Sequence, residues 1–200
     1  MEPKVVFIDW SQTLSVSKFW EGSKHFPEVD RLLFTENSFL IEPWMRGKLV
    51  TEDIVNFLAL RLKIPKKILL ADLIQSCQQM TFVDPQVEKL VQKLRRKKVR
   101  VVIATDNMDS FPRWTVPTLR LRQMFDGVLN SHTLRALKKD FDETGHSLFF
   151  RNYLNEGNLG ISEAVLVDDS QANCQLFETA GGKAYQARDK NDLLFTLKSL

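Results

Sequence analysis

Three apolar runs in this chain each stop on polar residues suited to phosphate chemistry. Val5-Val6-Phe7-Ile8 runs into Asp9, Val101-Val102-Ile103-Ala104 into Thr105, and Ala164-Val165-Leu166-Val167 into the pair Asp168-Asp169. A carboxylate in the position of Asp9 can attack phosphorus, or a carbon bearing a leaving group, to give a covalent aspartyl intermediate. The Thr105 hydroxyl can donate to a phosphoryl oxygen, with backbone N–H groups beyond it at Asp106 and Asn107 as further donors. A lysine is needed to neutralise nucleophile and substrate together, and Lys138 or Lys139 can supply it. Asp9, Asp168 and Asp169 make an oxygen-only donor set of the kind Mg²⁺ prefers.

Such residues work only if the chain brings them together. Short continuous apolar runs rich in β-branched residues read as strands of a parallel sheet buried on both faces. In such sheets ligands sit outside the carboxyl ends of the strands, where all three polar endings fall. Further strands are expected at Val128-Leu129-Asn130 and Ala184-Tyr185. Between the first strand and about Lys98 the apolar period is helical. Thr51 is expected to cap a helix with the stripe Ile54, Phe57, Leu58, Leu62, and Pro65 to open another with Leu69, Leu70, Leu73, Ile74, Cys77. Asp84 reads as an N-cap followed by Pro85 at the first helical position. The stretch from Asn107 through Pro112 and Pro117 reads as a polar connection leading to a helical turn at Met124. Helices are expected over 147–155 and 170–180, with Gly181 closing the latter in a left-handed conformation, and again at 193–197. The fold class is therefore α/β: a Rossmann-like parallel-sheet core, residues 1–14 and 84–200, with an α-helical cap inserted at 15–83.

Two hundred residues with 44% hydrophobic content can bury a sizeable core. The net charge of +3 argues against nucleic acid as the main partner. No apolar stretch is long enough to span a bilayer, and Asp9 interrupts the first strand too early for a signal-peptide core, so the expectation is a cytoplasmic protein without a membrane partner. Oligomeric state is not readable. The basic run Lys93, Arg95, Arg96, Lys97, Lys98, Arg100 sits where cations offset a helix dipole. Cys77 and Cys174 lack metal-ligand spacing and read as small buried residues. His25, His132 and His146 are isolated. Trp20 and Trp44 can line a pocket or pack a core, and Trp10 is expected to pack beneath the cap. Asn107 can orient a phosphate or simply make a turn.

At this point the chain resembles the haloacid dehalogenase superfamily, whose four motifs it carries in order. Asp9-Trp10-Ser11-Gln12-Thr13 resembles the D-x-D-x-T motif of its phosphatases except at the second aspartate. Thr105 matches the second motif, Lys138-Lys139-Asp140 resembles the lysine motif and favours Lys138, and Val167-Asp168-Asp169-Ser170 matches the acidic fourth, with Asn173 and Gly181 following. The resemblance implies a HAD-like fold with a helical cap and a Mg²⁺ cofactor held by Asp9, the Ser11 carbonyl, Asp168 and Asp169. It also implies catalytic roles for Asp9, Ser11, Thr105 and Lys138, with phosphate held by Thr105, Asp106, Asn107 and Lys138. The departure is Ser11. Where relatives use a second aspartate to protonate the leaving oxygen and activate water, a serine hydroxyl has no proton to exchange near neutrality. The expected activity is a Mg²⁺-dependent phosphohydrolase acting through aspartyl phosphate on a small phosphorylated metabolite. The alternatives are a catalytically silent module that binds a phospho-ligand or protein, and a metal-free dehalogenase-type hydrolase.

Overall fold

The computed structural model describes residues 2–200. Its centre is a five-stranded, wholly parallel sheet in the order β3-β2-β1-β4-β5. The strands are β1 (Val5–Ile8), β2 (Arg100–Thr105), β3 (Gly127–Asn130), β4 (Ala164–Asp168) and β5 (Lys183–Gln186). β1 pairs with β2 from Val5 opposite Arg100 to Ile8 opposite Ile103, and with β4 from Val5 opposite Ala164 to Ile8 opposite Val167. This register sets Asp9 level with Asp168 and one residue short of Thr105.

Side chains alternate across the sheet, and each face has its own core. Val6, Ile8, Val101, Ile103, Val165 and Val167 point to one side; Val5, Phe7, Val102, Ala104, Ala164 and Leu166 point to the other. On the second side Phe7 stacks at 4.8 Å from Phe150, which meets Phe177 at 5.0 Å and Phe149 at 4.9 Å. Removing such a buried ring costs about 3–5 kcal/mol.

The chain between β1 and β2 is helical, as its apolar period predicts. It holds short turns from Phe26 to Leu40, then the helices Ile41–Met45, Thr51–Leu62, Lys66–Gln78 and Gln86–Arg96. Its buried residues, among them Leu33, Trp44, Leu58, Leu73 and Cys77, belong to one continuous cluster with Val6, Ile8 and Ile103 of the sheet. Trp20 and Trp44 are fully buried there, so both pack the core; Trp20 Nε1 donates to the Leu69 carbonyl at 2.8 Å. Trp10 packs between Phe82 and Phe111, with ring centroids at 5.5 and 5.2 Å. Cys77 and Cys174 are free and buried, and burial pushes both thiols up to about 12.

Several local expectations are corrected. Thr51 is the first residue of its helix and not the cap. Val50 precedes it in extended conformation, and the Asp53 carboxylate accepts from the Val50 N–H at 3.0 Å, leaving the Thr51 hydroxyl free for Asp109. The connection after β2 is helical: Phe111–Thr115 forms a π-helical turn and Val116–Thr118 continues it, since Pro112 and Pro117 each fall in a first turn, where a missing N–H costs nothing. The helix expected over 147–155 begins at Arg151. Ser147 Oγ accepts from the N–H groups of Phe149 and Phe150, holding that stretch as a turn. The Asp84-Pro85 start shifts by one residue: Pro85 is the N-cap of Gln86–Arg96, and the Asp84 carboxylate before it accepts from Gln86 N–H at 2.8 Å. Elsewhere the signals match: Ser170 caps Gln171–Thr179, and Gly181 is left-handed at φ +96°. No helix of the described residues is long and apolar enough to cross a membrane.

Candidate active site

β1 ends in a tight reversal that wraps the chain around its last carboxylate. Leu14 N–H donates to the Asp9 carbonyl, Ser15 N–H to Trp10 and Gln12 N–H to Ser15, with Gln12 left-handed at φ 60°. Asp9 and Thr13 are thereby buried, while Ser11 and Gln12 remain exposed. At the neighbouring strand ends Thr105 and Asp168 are completely buried and Asp169 is half-buried.

Lys138 ties these ends together. Its ammonium is almost fully buried, 2.9 Å from Asp9 Oδ1 and within hydrogen-bond distance of Asp168 Oδ2. The contact with Asp9 is an ion pair without hydrogen-bond alignment, so Oδ1 keeps its bonding capacity. Burial works to lower the Lys138 pKa, but the surrounding carboxylates Asp9, Asp168 and Asp106 overcome it and hold the ammonium firmly charged. Lys139, its neighbour, points to solvent and pairs with Glu42 at 2.9 Å. Lys138 is therefore the lysine of the constellation.

The carboxylates outnumber their cation. Oxygens of Asp9, Asp168 and Asp169 lie within 4.8 Å of one another. Asp9 is pushed up to about 7, first by burial and then by Asp168 and Asp169, against the opposing pull of Lys138. Asp169 is raised as well, by burial and by the Asp168 charge. Asp168 is anchored: Oδ1 accepts from Ser170 N–H at 2.9 Å and from Asn173 Nδ2 at 3.2 Å. One buried ammonium cannot neutralise this set, and a hard divalent cation among the oxygens would complete it.

Two hydroxyls at the same strand ends, Thr13 Oγ1 and Thr105 Oγ1, are buried without a partner in the protein. Buried donors left unpaired are uncommon, and these two lie in the segments that also carry Asp9 and the end of β2. Asn107 is nearly buried and organises the loop after β2: its carbonyl accepts from Asn130 Nδ2, Ser131 Oγ and His132 N–H, and its Nδ2 lies 3.4 Å from Ser11 Oγ. The Asp106 carboxylate accepts from the Lys138 N–H at 3.0 Å, and burial raises its pKa. The three histidines join no cluster. His132 Nε2 approaches the Leu49 carbonyl at 3.3 Å, and His146 is exposed beside Asp142.

Sequence reasoning overlooked Asp109. Four residues past Thr105, its buried carboxylate accepts from Trp44 Nε1 (2.6 Å), Thr51 Oγ1 (2.8 Å), Thr51 N–H and Arg113. The signal was present only as a polar residue in a stretch read as a loop. Two further contacts join the same helical segment to residues 132–140. Arg46 forks onto Asp140, and Gly47 is left-handed at φ +64° where a β-carbon would fall 2.7 Å from the His132 carbonyl oxygen.

No family model and no curated protein matches the chain by sequence. Solved structures do. A HAD family enzyme from Bacteroides thetaiotaomicron, crystallised with magnesium and inorganic phosphate, aligns at TM-score 0.64 and 15% identity over 92% of this chain and 93% of its own. A predicted HAD-like family hydrolase from Porphyromonas gingivalis aligns at TM-score 0.65 and 15% identity over 93% and 91%. The L-2-haloacid dehalogenase of Xanthobacter autotrophicus, with chloropropionic acid covalently bound, aligns at TM-score 0.64 and 15% identity over 98% and 81%. The fold is that of the haloacid dehalogenase enzymes.

Proposed function

We propose that this chain is a HAD-superfamily hydrolase, a Mg²⁺-dependent phosphohydrolase in which Asp9 is the nucleophile and the helical segment 15–83 serves as the cap over a small phosphorylated substrate. The observation that carries the reading is the unspent Thr13 and Thr105 hydroxyls at the same strand ends as three crowded carboxylates. That combination suits a phosphoryl group together with a divalent cation. The cation would be held by Asp9, the Ser11 carbonyl and Asp169, with Asp168 beside it, and would neutralise charge on the transferring group.

Within this reading Lys138 orients Asp9 and offsets the anions gathered around it. Thr105, Asn107 and the N–H groups of the loop after β2 hold the phosphoryl oxygens. The Asp9 carboxylate forms a bond to phosphorus while the bond to the leaving oxygen breaks; water later cleaves the aspartyl phosphate. Ser11 offers a hydrogen bond and no proton, which favours substrates whose leaving group departs as a stable anion, such as acyl or aryl phosphates. The second reading, a silent phospho-ligand module, draws on the same exposed Ser11. Retention of Asp168 and Asp169 weighs against a metal-free dehalogenase.

Acetyl phosphate separates the two, because acetate leaves without protonation. With Mg²⁺ present, rapid acid quenching and intact-mass measurement should reveal a phosphoryl adduct that Asp9→Asn abolishes. If Mg²⁺ binds and no adduct or product forms, the ligand-binding reading stands instead.

A further inference from the structure

The chain carries a concentrated cationic surface at the end of the sheet away from the carboxylates. Residues 86–100 hold seven of its 28 Lys and Arg against one acid, Glu88, a local excess of six; with a total of +3, the remaining chain is net negative by three. A helix C-terminus is offset by about half a charge, so the dipole leaves most of this excess unexplained.

The cations line a groove of about 450 Å³ between the end of the helix Gln86–Arg96, the start of β2 and Asp126. Arg95 and Asp126 form its fixed floor. Arg95 pairs with Asp126 Oδ1 at 2.9 Å and donates to the carbonyls of Gln123 and Met124, and Asp126 Oδ2 accepts from the Val101 N–H at 2.9 Å. Lys97 turns aside to the Leu200 carbonyl. Arg96, Lys98 and Arg100 make no ion pair among the described residues. Gly157 makes room for Arg100: a β-carbon there would fall 2.5 Å from its Nη1. Arg100 and Asp126 also line a second groove of about 330 Å³ running on to Tyr153 and Glu156.

We propose that this groove is a binding site for a compact polyphosphate, a small molecule carrying two or three linked phosphates. Guanidinium groups pair with phosphate oxygens through two parallel donors, and three unpaired cations around a fixed floor match a chain of phosphates. The volume falls in the range of small-ligand sites, about 300–1,000 Å³. An extended nucleic acid fits less well. The groove of Arg95, Arg96, Lys98 and Arg100 has no aromatic lining on which bases could stack. Lying at the amino ends of the strands, the site is separate from Asp9 and Asp168.

Calorimetric titration of the full chain with inorganic tripolyphosphate, in metal-free buffer at low salt, tests this. Saturable one-to-one binding is expected, with amide shifts at residues 92–100 and none around Asp9. The exposed pair Arg96→Gln and Lys98→Asn should weaken it at least about tenfold; Lys98 is left-handed at φ 65°, which asparagine tolerates. Lys66→Gln with Lys67→Gln removes the same charge from another exposed surface and should leave affinity within about twofold. The proposal is overturned if no saturation occurs by about 1 mM, if both double variants weaken binding alike, or if a single-stranded oligonucleotide binds more tightly than tripolyphosphate at equal salt.

Discussion

Trp44 Nε1 donates to Asp109 Oδ1 at 2.6 Å, and this bond fastens the helical segment to the loop that follows β2. Thr51 reinforces it through both its hydroxyl and its N–H, and Arg113 bridges Asp109 to Glu52. The carboxylate is nine-tenths hidden from solvent, so every donor around it depends on it.

Asp109→Ala should therefore cost about 3 kcal/mol, because the Trp44 and Thr51 donors lose their acceptor inside the protein. Urea denaturation monitored by tryptophan fluorescence measures it. Burial acts to raise the Asp109 pKa, but the hydrogen bonds from Trp44, Arg113 and Thr51 outweigh it and leave the carboxyl below its ordinary value. Its contribution is then present above the normal carboxylate range and lost as pH falls through the depressed value. The wild type should lose more stability on acidification to about pH 3 than Asp109→Ala does.

Lys138 and Lys139 are adjacent in sequence and opposite in consequence. Lys138→Met strands Asp9 and Asp168 without their buried cation and should cost about 3–5 kcal/mol at neutral pH. Lys139→Met removes only an exposed pair with Glu42 and should cost less than about 1 kcal/mol. Equal losses in chemical denaturation would contradict the placement of Lys138 at the centre of the cluster.

Mg²⁺ should bind more tightly as pH rises. Burial and neighbouring carboxylates raise Asp9 to about 7 and raise Asp169, so the free protein holds protons there that a cation must displace. By the same linkage, these groups favour the fold below the ordinary carboxylate range, and that contribution is lost as pH rises towards about 7. The increase in melting temperature on adding Mg²⁺ should be larger at pH 8 than at pH 5, and Asp169→Asn should abolish it at both. An equal shift at the two pH values would show that no proton is displaced.

Ser11→Asp tests whether the missing acid/base group limits turnover. Ser11 is exposed, and the Asn107 amide beside it can donate to a carboxylate, so the loop has room and a partner for the change. General acid/base catalysis contributes about 10²–10⁴ in rate. A gain of that order is expected on alkyl phosphates, and a smaller one on aryl phosphates, in steady-state assays. A folded, Mg²⁺-binding variant that is no faster on any ester places the limitation elsewhere in the site.

The strand ends were legible because one-dimensional rules suffice for them: a buried β-branched run stopped by a polar residue is already a location in a parallel sheet. Asp9, Thr105, Asp168 and Asp169 follow from that alone; the lysine motif favours Lys138, and the structure supplies the physical reason, since Lys138 reaches Asp9 and Asp168 while Lys139 pairs with Glu42. Asp109 was out of reach for a different reason. Its partners Trp44 and Thr51 are remote in sequence, and no local period marks a carboxylate that serves a distant indole. The connection after β2 reads as a polar loop because its prolines and polar residues mask a helical start, and in the structure both prolines stand in first turns.

The position of β1 bears on how the chain folds. The earliest strand lies at the middle of the sheet, and its two neighbours are supplied by Arg100–Thr105 and Ala164–Asp168. Until those stretches arrive, Val5–Ile8 has no strand beside it, and both of its backbone edges and both apolar faces are open to other chains. Closing such long loops before any sheet contact is rewarded slows assembly. During synthesis on the ribosome the centre of the sheet is thus the first of these five strands to be made, and it stays incomplete until both β2 and β4 have followed.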